Sequence, residues 1–312
     1  MKVLITCPPM IKAIGEFRSI FENKGIEIII PDFVQTLTES ALIDILPTVD
    51  AWIIGDDPAT ERVFAAGKKG KLKAAVKWGV GVDNVDFNAA KNMGIPVSNT
   101  PNMFGNEVAD LGINYLIGLA RQSFLIDREV RRGNWIKPAG VSVTGKTIGL
   151  IGLGDIGLAC ARRLKGFDVD IIGYDPFVKI SAEKAGVNEI IPFPEKLSDV
   201  DFLLITCALT KSSYHLINKD SIDLMKTGVY IINISRGKLI DETALIPALI
   251  SGKIKAAALD VFEEEPMPMN NRLREFDQCI FGTHNGSNTI EAVKRATDKA
   301  ISILFGYLNI PE

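Results

Sequence analysis

Residues 147–157 read TIGLIGLGDIG, an apolar run that breaks into Gly152, Gly154 and Gly157 and passes straight into an amphipathic helical pattern. No other stretch constrains the fold so strongly. Gly152 allows a tight turn out of the strand, Gly154 lets an anionic group approach the backbone, and Gly157 lets helix and strand pack closely. The N–H groups of the first helical turn, at Asp155, Ile156 and Gly157, then face that anion, and the helix dipole favours it. The helix is expected over 156–165 with Gly166 as its end. A second apolar run, 169–174, closes on Asp175, eighteen residues beyond the last glycine. A carboxylate there accepts hydrogen bonds from both hydroxyls of an adenosine ribose and repels a 2′-phosphate. The segment therefore reads as a dinucleotide fold taking NAD rather than NADP, with Lys179 nearby as the one opposing charge.

Such a fold opens on this strand, yet here the strand begins near residue 147, so something else fills the first hundred residues. Short β-rich runs at 3–6, 26–30, 51–54, 74–77 and 95–98 alternate with helical patterns at 14–24, closed by Gly25, and at 87–93, closed by Gly94. Five parallel strands with helices between them predict a small doubly wound domain. From 104 to 132 the pattern is one long helix with Leu111, Tyr115, Leu116 and Leu119 on a single face, suited to joining two domains or two subunits. After the glycine turn, strands at 201–206, 229–234, 256–259 and 280–281 complete a six-stranded dinucleotide domain. A last helix, 289–308, has no strand after it and is expected to pack back on the first domain. The fold class is α/β with two doubly wound parallel-sheet domains, one over 1–99 and 288–312 and the other, of Rossmann type, over 100–287.

Bulk properties narrow the function. A chain of 312 residues, 47% hydrophobic and 23% charged, has the composition of an ordinary globular protein with room for two cores. With 35 basic against 38 acidic residues there is no global field to draw in nucleic acid or an anionic membrane. Cys7, Cys160, Cys207 and Cys279 are far apart without CxxC spacing, and Cys160 and Cys207 fall inside apolar helix or strand patterns, which reads as buried reduced thiols. The opening MKVLITCPP reads as a first strand rather than a signal peptide, and no run reaches membrane-spanning length. A cytoplasmic, metal-free protein is expected.

A nicotinamide cofactor carries the hydride, and the protein must supply substrate binding, orientation and a proton acceptor. The chain has only two histidines. His215, in SSYHLIN, sits among apolar residues and reads as a packed or surface side chain. His284, in FGTHNGS, follows the last strand of the dinucleotide domain, at the sheet edge where ligands of open α/β sheets collect. Histidine titrates near neutrality and suits a general base for an alcohol proton. Arg236, in IINISRG, also directly follows an apolar strand, and its planar fork can hold a carboxylate with two parallel hydrogen bonds. Glu265 lies in a run of three glutamates after the strand ending at Leu259. Acidic loops are mostly solvated, but one carboxylate beside an imidazole would fix its tautomer.

In several motifs the chain resembles the D-isomer-specific 2-hydroxyacid dehydrogenases, and within them the phosphoglycerate dehydrogenase-like branch. KWGVGVDNVD (77–86), GIPVSNTPN (94–102), NEVADL (106–111), GKTIGLIGLGDIG, LINKDSIDLMKTGVYIINISRG, LDVFEEEP and the loop holding His284 match that family's pattern in order, almost end to end. The resemblance implies that Arg236 binds the substrate carboxylate and polarises the C2 oxygen. His284 would exchange the C2 hydroxyl proton beside the cofactor, and Glu265 would pair with His284. Backbone amides of Val80, Gly81 and Val82 would grip the carboxylate, Asp260 would bond the nicotinamide amide, and Cys207, Thr210 and Ile234 would line the cofactor. It further implies a flavodoxin-like substrate domain beside the Rossmann domain, NAD as cofactor, a small 2-hydroxy or 2-oxo acid as substrate, and a homodimer formed through the long helices after residue 100.

The chain also departs from the family. Thr283 and Asn285 flank the histidine where relatives commonly carry proline and a small apolar residue, adding polar groups beside the base. Gly55, Asp56 and Asp57 stand where many phosphoglycerate enzymes have an arginine, and acidic residues there would repel a phosphate. Thr206, Cys207 and Ala208 replace the usual His, apolar, Pro, which would loosen the loop before Leu209 and Thr210. The chain ends without a C-terminal regulatory module, so serine control through one is not expected. Within the enzyme reading, glyoxylate or hydroxypyruvate stands as the alternative to a phosphoglycerate-like acid. An NADH-sensing regulator like the C-terminal-binding corepressors, which keep the same Arg, Glu and His, is the rival from another class.

Overall fold

The computed structural model describes residues 1–177 and 180–311; Lys179, weighed above as an opposing charge, lies outside them. The chain divides into two compact units, Met1–Met103 with Asn288–Glu312, and Phe104–Ser287.

The first unit holds strands β1 (Lys2–Ile5), β2 (Glu27–Ile29), β3 (Ala51–Ile54), β4 (Ala74–Lys77) and β5 (Val97–Asn99), all parallel in the order β2-β1-β3-β4-β5. That is the flavodoxin-like order. Strands β3 and β4 are buried along their whole length, as a parallel sheet covered on both faces requires. Trp52 and Phe64, both fully buried, anchor the core together with Leu42, Leu46 and Val63, and the Trp52 indole N–H donates to Thr6 Oγ1 at 2.8 Å. Burial of each such large side chain contributes roughly 1.5–3 kcal/mol. Helix Ile290–Tyr307, capped by Thr289, belongs to this unit and packs on β3 and β4, where the Trp78 indole donates to Thr297 Oγ1 at 3.1 Å.

The second unit holds β6 (Thr147–Ile151), β7 (Asp170–Tyr174), β8 (Glu189–Ile190), β9 (Phe202–Ile205), β10 (Val229–Asn233), β11 (Ile254–Leu259) and β12 (Ile280–Phe281). All are parallel in the order β12-β11-β10-β9-β6-β7-β8. This is the Rossmann order with one strand added, and it reverses between β6 and β9, the position where such sheets bind ligands at their carboxyl ends. Leu203, Ile205, Ile231, Leu245, Leu249 and Leu259 form the core on one face.

Several boundaries differ from the sequence expectation. The second sheet has seven strands rather than six, because β8 is only two residues long and too short to show any periodicity. The single helix expected over 104–132 is two, Gly105–Arg121 and Ser123–Arg131, broken at Gln122 with φ 52°. The break is held from outside: Gln122 Nε2 donates to Ala139 O at 2.8 Å, and Val141 N takes the Ala120 carbonyl at 2.8 Å. The helix after the glycine turn runs Asp155–Leu164 and is not stopped by Gly166, which lies inside a 3₁₀ turn, Lys165–Phe167, ending at left-handed Asp168. Cys207 lies beyond β9 rather than within a strand.

Candidate active site

The glycine turn follows β6 at the point where strand order reverses. Gly157 is fixed by close approach, since a Cβ there would lie 2.0 Å from the Gly152 carbonyl oxygen. Gly154 is different. Its Cβ position has no heavy atom within 4 Å, so the backbone here is open to a ligand. Gly152 itself adopts φ 90° against the Cys207 backbone, and Thr206 Oγ1 donates to the carbonyls of Ile151 and Gly152, at 3.0 and 2.8 Å, stapling the turn to β9. Helix Asp155–Leu164 starts at the opening, so the amides of Asp155, Ile156 and Gly157 precede the intrahelical ladder. Asp175, at the tip of β7, accepts from Leu153 N and Phe177 N, both at 2.8 Å, which holds its carboxylate beside the turn. An open backbone, a helix N-terminus and an acid at the next strand end fit the phosphates and ribose of a dinucleotide.

Other expected cofactor contacts are placed as follows. Ile234 is buried against the helix Gly105–Arg121, with its Cδ1 over Gly112. The loop carrying Thr210 is knitted rather than loose: Thr210 N donates to Ser213 Oγ and that hydroxyl to Ala208 O, each at 2.8 Å. Cys207 is partly buried, and its thiol is pushed up to about 11 by desolvation. Burial likewise raises Cys279 to about 11 and Cys160 to about 12, and Cys7 still further. All four thiols should therefore react with a disulfide reagent at pH 8 far more slowly in the folded protein than in urea; equal rates would contradict the burial.

Arg236, Glu265 and His284 follow the adjacent strands β10, β11 and β12 at their carboxyl ends. The Arg236 loop is braced by its neighbours: Asn233 Nδ2 donates to Arg236 O at 2.8 Å, Ser235 N to Asn233 Oδ1 at 3.1 Å, and Ser235 Oγ to Cys207 O. The guanidinium Nη1 donates to Ser235 O at 2.8 Å. His284 has φ 53°, and its Nδ1 lies 2.8 Å from Glu265 Oε2. The other carboxylate oxygen, Oε1, accepts from Phe262 N at 2.9 Å. A carboxylate on Nδ1–H leaves Nε2 as the lone-pair nitrogen of the neutral ring.

Asp260 is 2% exposed, with Oδ2 accepting from Gly286 N at 2.9 Å and Oδ1 from the Tyr115 hydroxyl at 3.3 Å. Its carbonyl accepts from His284 N at 2.6 Å. Asp260 thus ties down both sides of the loop that carries the histidine. Burial, with Asp260 beside it, raises the Tyr115 hydroxyl far above its ordinary range. His215 lies before helix Lys219–Leu224, stacked on Tyr214 with ring centroids 4.0 Å apart and with Nε2 3.3 Å from Glu263 Oε1. That is a packed histidine.

Two elements of the site have no sequence signal of their own. Glu263 and Glu242 exchange bonds, each side chain accepting the other's backbone N–H at 2.9 Å, which locks the loop before Glu265 onto helix Glu242–Ser251. Gly237 allows that loop to press on the Arg236 turn, because a Cβ at 237 would lie 1.9 Å from the Phe262 carbonyl carbon. Gly237→Ala is expected to cost about 2–3 kcal/mol of stability and, by shifting the 262–265 loop, at least about tenfold in kcat. Thermal melts and steady-state rates both matching wild type would refute this coupling.

In the first unit, the turn after β4 carries Val80, Gly81 and Val82, whose N–H groups donate to no other group among the described residues. Asp57, expected as a repelling charge, is instead fully buried, its carboxylate accepting from Leu37 N at 2.8 Å and Gly55 N at 3.2 Å. The leucine amide and the loop's own glycine draw it inward. Asp56 keeps a partly exposed carboxylate. Among the described residues no helix is long and apolar enough to cross a membrane, and no His, Cys, Asp or Glu cluster is arranged to hold a metal.

Comparison with known proteins places the chain in a family. The profile of the D-isomer specific 2-hydroxyacid dehydrogenase NAD-binding domain matches residues 113–286. The chain is 40% identical over 263 residues to a D-3-phosphoglycerate dehydrogenase of Methanocaldococcus jannaschii, covering 83% of this chain but only 50% of that protein. It is 36% identical over 281 residues to a hydroxypyruvate reductase of Thermotoga maritima, covering 88% and 90% of the two chains. The apo-structure of D-lactate dehydrogenase from Escherichia coli superposes with a TM-score of 0.85 at 31% identity, over 99% of this chain and 97% of that one. The Gly154 opening, Asp175 and the three strand ends at Arg236, Glu265 and His284 fall within a match of this extent, and the protein belongs to the NAD-dependent D-isomer specific 2-hydroxyacid dehydrogenases.

Proposed function

We propose that the protein interconverts a small D-2-hydroxy acid and its 2-oxo acid, with Arg236, His284 and Glu265 as the working side chains. The observation that carries this reading is the 2.8 Å pair of His284 Nδ1 with Glu265, set one strand beyond the loop of Glu265 and two beyond that of Arg236. When bound, NAD supplies the acceptor or donor for hydride at C2. Arg236 holds the substrate carboxylate through parallel hydrogen bonds and leans on the C2 oxygen. His284 Nε2 takes the C2 hydroxyl proton in oxidation and returns it in reduction. Glu265 keeps the ring in the tautomer that allows this and offsets the charge of the imidazolium. Asp260 acts through its bonds to Gly286 N and His284 N, holding the histidine loop in place. The amides of Val80, Gly81 and Val82 take part in gripping the carboxylate, and Asp155, Ile156, Gly157 and Asp175 bind the dinucleotide.

Helix Ser123–Arg131 has no buried residue, Val130 is 45% exposed and Trp135 81% exposed, which supports a homodimer formed through this segment. Four unpaired cysteines support a reducing, cytoplasmic setting. The deciding experiment is NADH oxidation with a panel of 2-oxo acids, phosphorylated and not. Turnover of at least one supports the reading. NADH binding without turnover of any would overturn it and favour a nucleotide-sensing role.

A further inference from the structure

We infer that Tyr115 is a positioning residue for His284, acting through Asp260 without itself touching substrate or cofactor. The inference rests on the reading of His284 as the group that moves the C2 proton.

Helix Gly105–Arg121 meets the histidine loop through Val108 and Tyr115, two turns apart on one face. A Cβ built on Gly286 would lie 3.4 Å from both Val108 methyl carbons, and one built on Gly282 would lie 2.4 Å from the Tyr115 hydroxyl. Gly282 directly follows β12, and Gly286 lies just past His284, so the helix touches the loop on both sides of the histidine. The same Cβ on Gly282 would lie 2.1 Å from Asp260 Oδ1. Glycine at 282 thus leaves room for phenol and carboxylate to meet.

Tyr115 is 5% exposed, and burial together with the neighbouring carboxylate keeps its hydroxyl protonated, so it serves as a donor. A buried carboxylate needs donors on its oxygens. Tyr115 supplies Oδ1 at 3.3 Å and Gly286 N supplies Oδ2 at 2.9 Å; among the described residues no other side chain donates to that carboxylate. Asp260 also accepts from His284 N through its carbonyl and donates its own N–H to Asn233 O at 2.9 Å. Its side chain is therefore the link between the helix and the loop. His284 itself has φ 53°, a left-handed conformation that a non-glycine residue keeps only when its surroundings hold it. Without the phenol oxygen, Oδ1 loses its donor, the carboxylate turns, and the pull on Gly286 N shifts the ring of His284.

The test is Tyr115→Phe, which keeps the ring in the core and removes one oxygen, alongside Asp260→Asn and the double variant, all in the full chain. With the best 2-oxo acid and saturating NADH, Y115F should lower kcat by about tenfold, while KM for the acid and Kd for NADH stay within about twofold of wild type. Because Tyr115 acts through Asp260, the double variant should be no slower than D260N alone, a coupling that a side chain serving only the core would not show. Effects that multiply, a kcat within about twofold of wild type, or KM and Kd rising in step with the loss of rate would each overturn the inference. Hydrogen exchange over residues 280–288, read by mass spectrometry, needs no turnover. In Y115F the amides of this segment should exchange about tenfold faster, with those of β6 and β10 unchanged. Unaltered exchange, or exchange faster everywhere, would overturn the inference as well. Absence of turnover on every 2-oxo acid removes the proposed function instead, and the exchange then decides by itself whether Tyr115 holds the loop.

Discussion

Arg236→Ala should lower kcat/KM for the best 2-oxo acid by about a thousandfold, or ~4 kcal/mol of transition-state stabilisation. A single charge-assisted hydrogen bond contributes roughly 1.5–3 kcal/mol, and the planar fork can make two while also fixing where C2 sits. The variant should fold normally, because the Nη1 bond to Ser235 O is local to the turn and the loop keeps its braces from Asn233 and Ser235. NADH affinity, read by fluorescence titration, should stay near wild type. Arg236→Lys should recover only a small part of the rate, since an ammonium is a point charge without the fork. A kcat/KM within about tenfold of wild type in the alanine variant would remove Arg236 from the site.

His284→Ala should lower kcat by about 10²–10⁴-fold, the range for losing a positioned general acid–base. The His284 amide would still donate to Asp260 O, and Gly286 N to Asp260 Oδ2, so the loop keeps its path. NADH binding, read by fluorescence titration, should survive. An equal loss of cofactor affinity would instead assign His284 to binding. Glu265→Gln should fall in between, because an amide oxygen can still accept from Nδ1–H but brings no charge to offset the imidazolium. A glutamine variant as slow as the alanine variant at 284 would mean that the carboxylate does more than orient the ring.

Much of the scaffold was legible in the sequence where burial is uniform. The bounds of β3 and β4 can be read directly, because AWII and AAVK are apolar, or nearly so, from end to end and lie in the middle of a covered sheet. Strand β8 leaves no periodic signal, because Glu189 and Ile190 pair with β7 over only two residues. The break at Gln122 is silent in the sequence for another reason. The apolar stripe runs on through 104–132, and only the loop at Ala139–Val141, folding back on Ala120 and Gln122, ends the first helix.

The candidate residues show the same division at finer scale. Glu263, Glu264 and Glu265 are chemically identical neighbours, yet one locks a helix N-terminus, one is exposed and one meets the imidazole of His284. Asp56 and Asp57 likewise separate into a half-exposed partner of Lys77 and a fully buried acceptor of backbone amides. What the sequence by itself determined was the glycine turn at 152–157, the acid at 175 and the polar residues at 236, 265 and 284 just past apolar runs. These are local signals, set by backbone sterics and by where a strand must end. Only the tertiary structure decided which carboxylate of a run faces a base, which lysine is already neutralised and how closely the Gly237 turn approaches Phe262. Those depend on contacts between segments far apart in the chain, and a charge or a close approach acquires its meaning from the group opposite it.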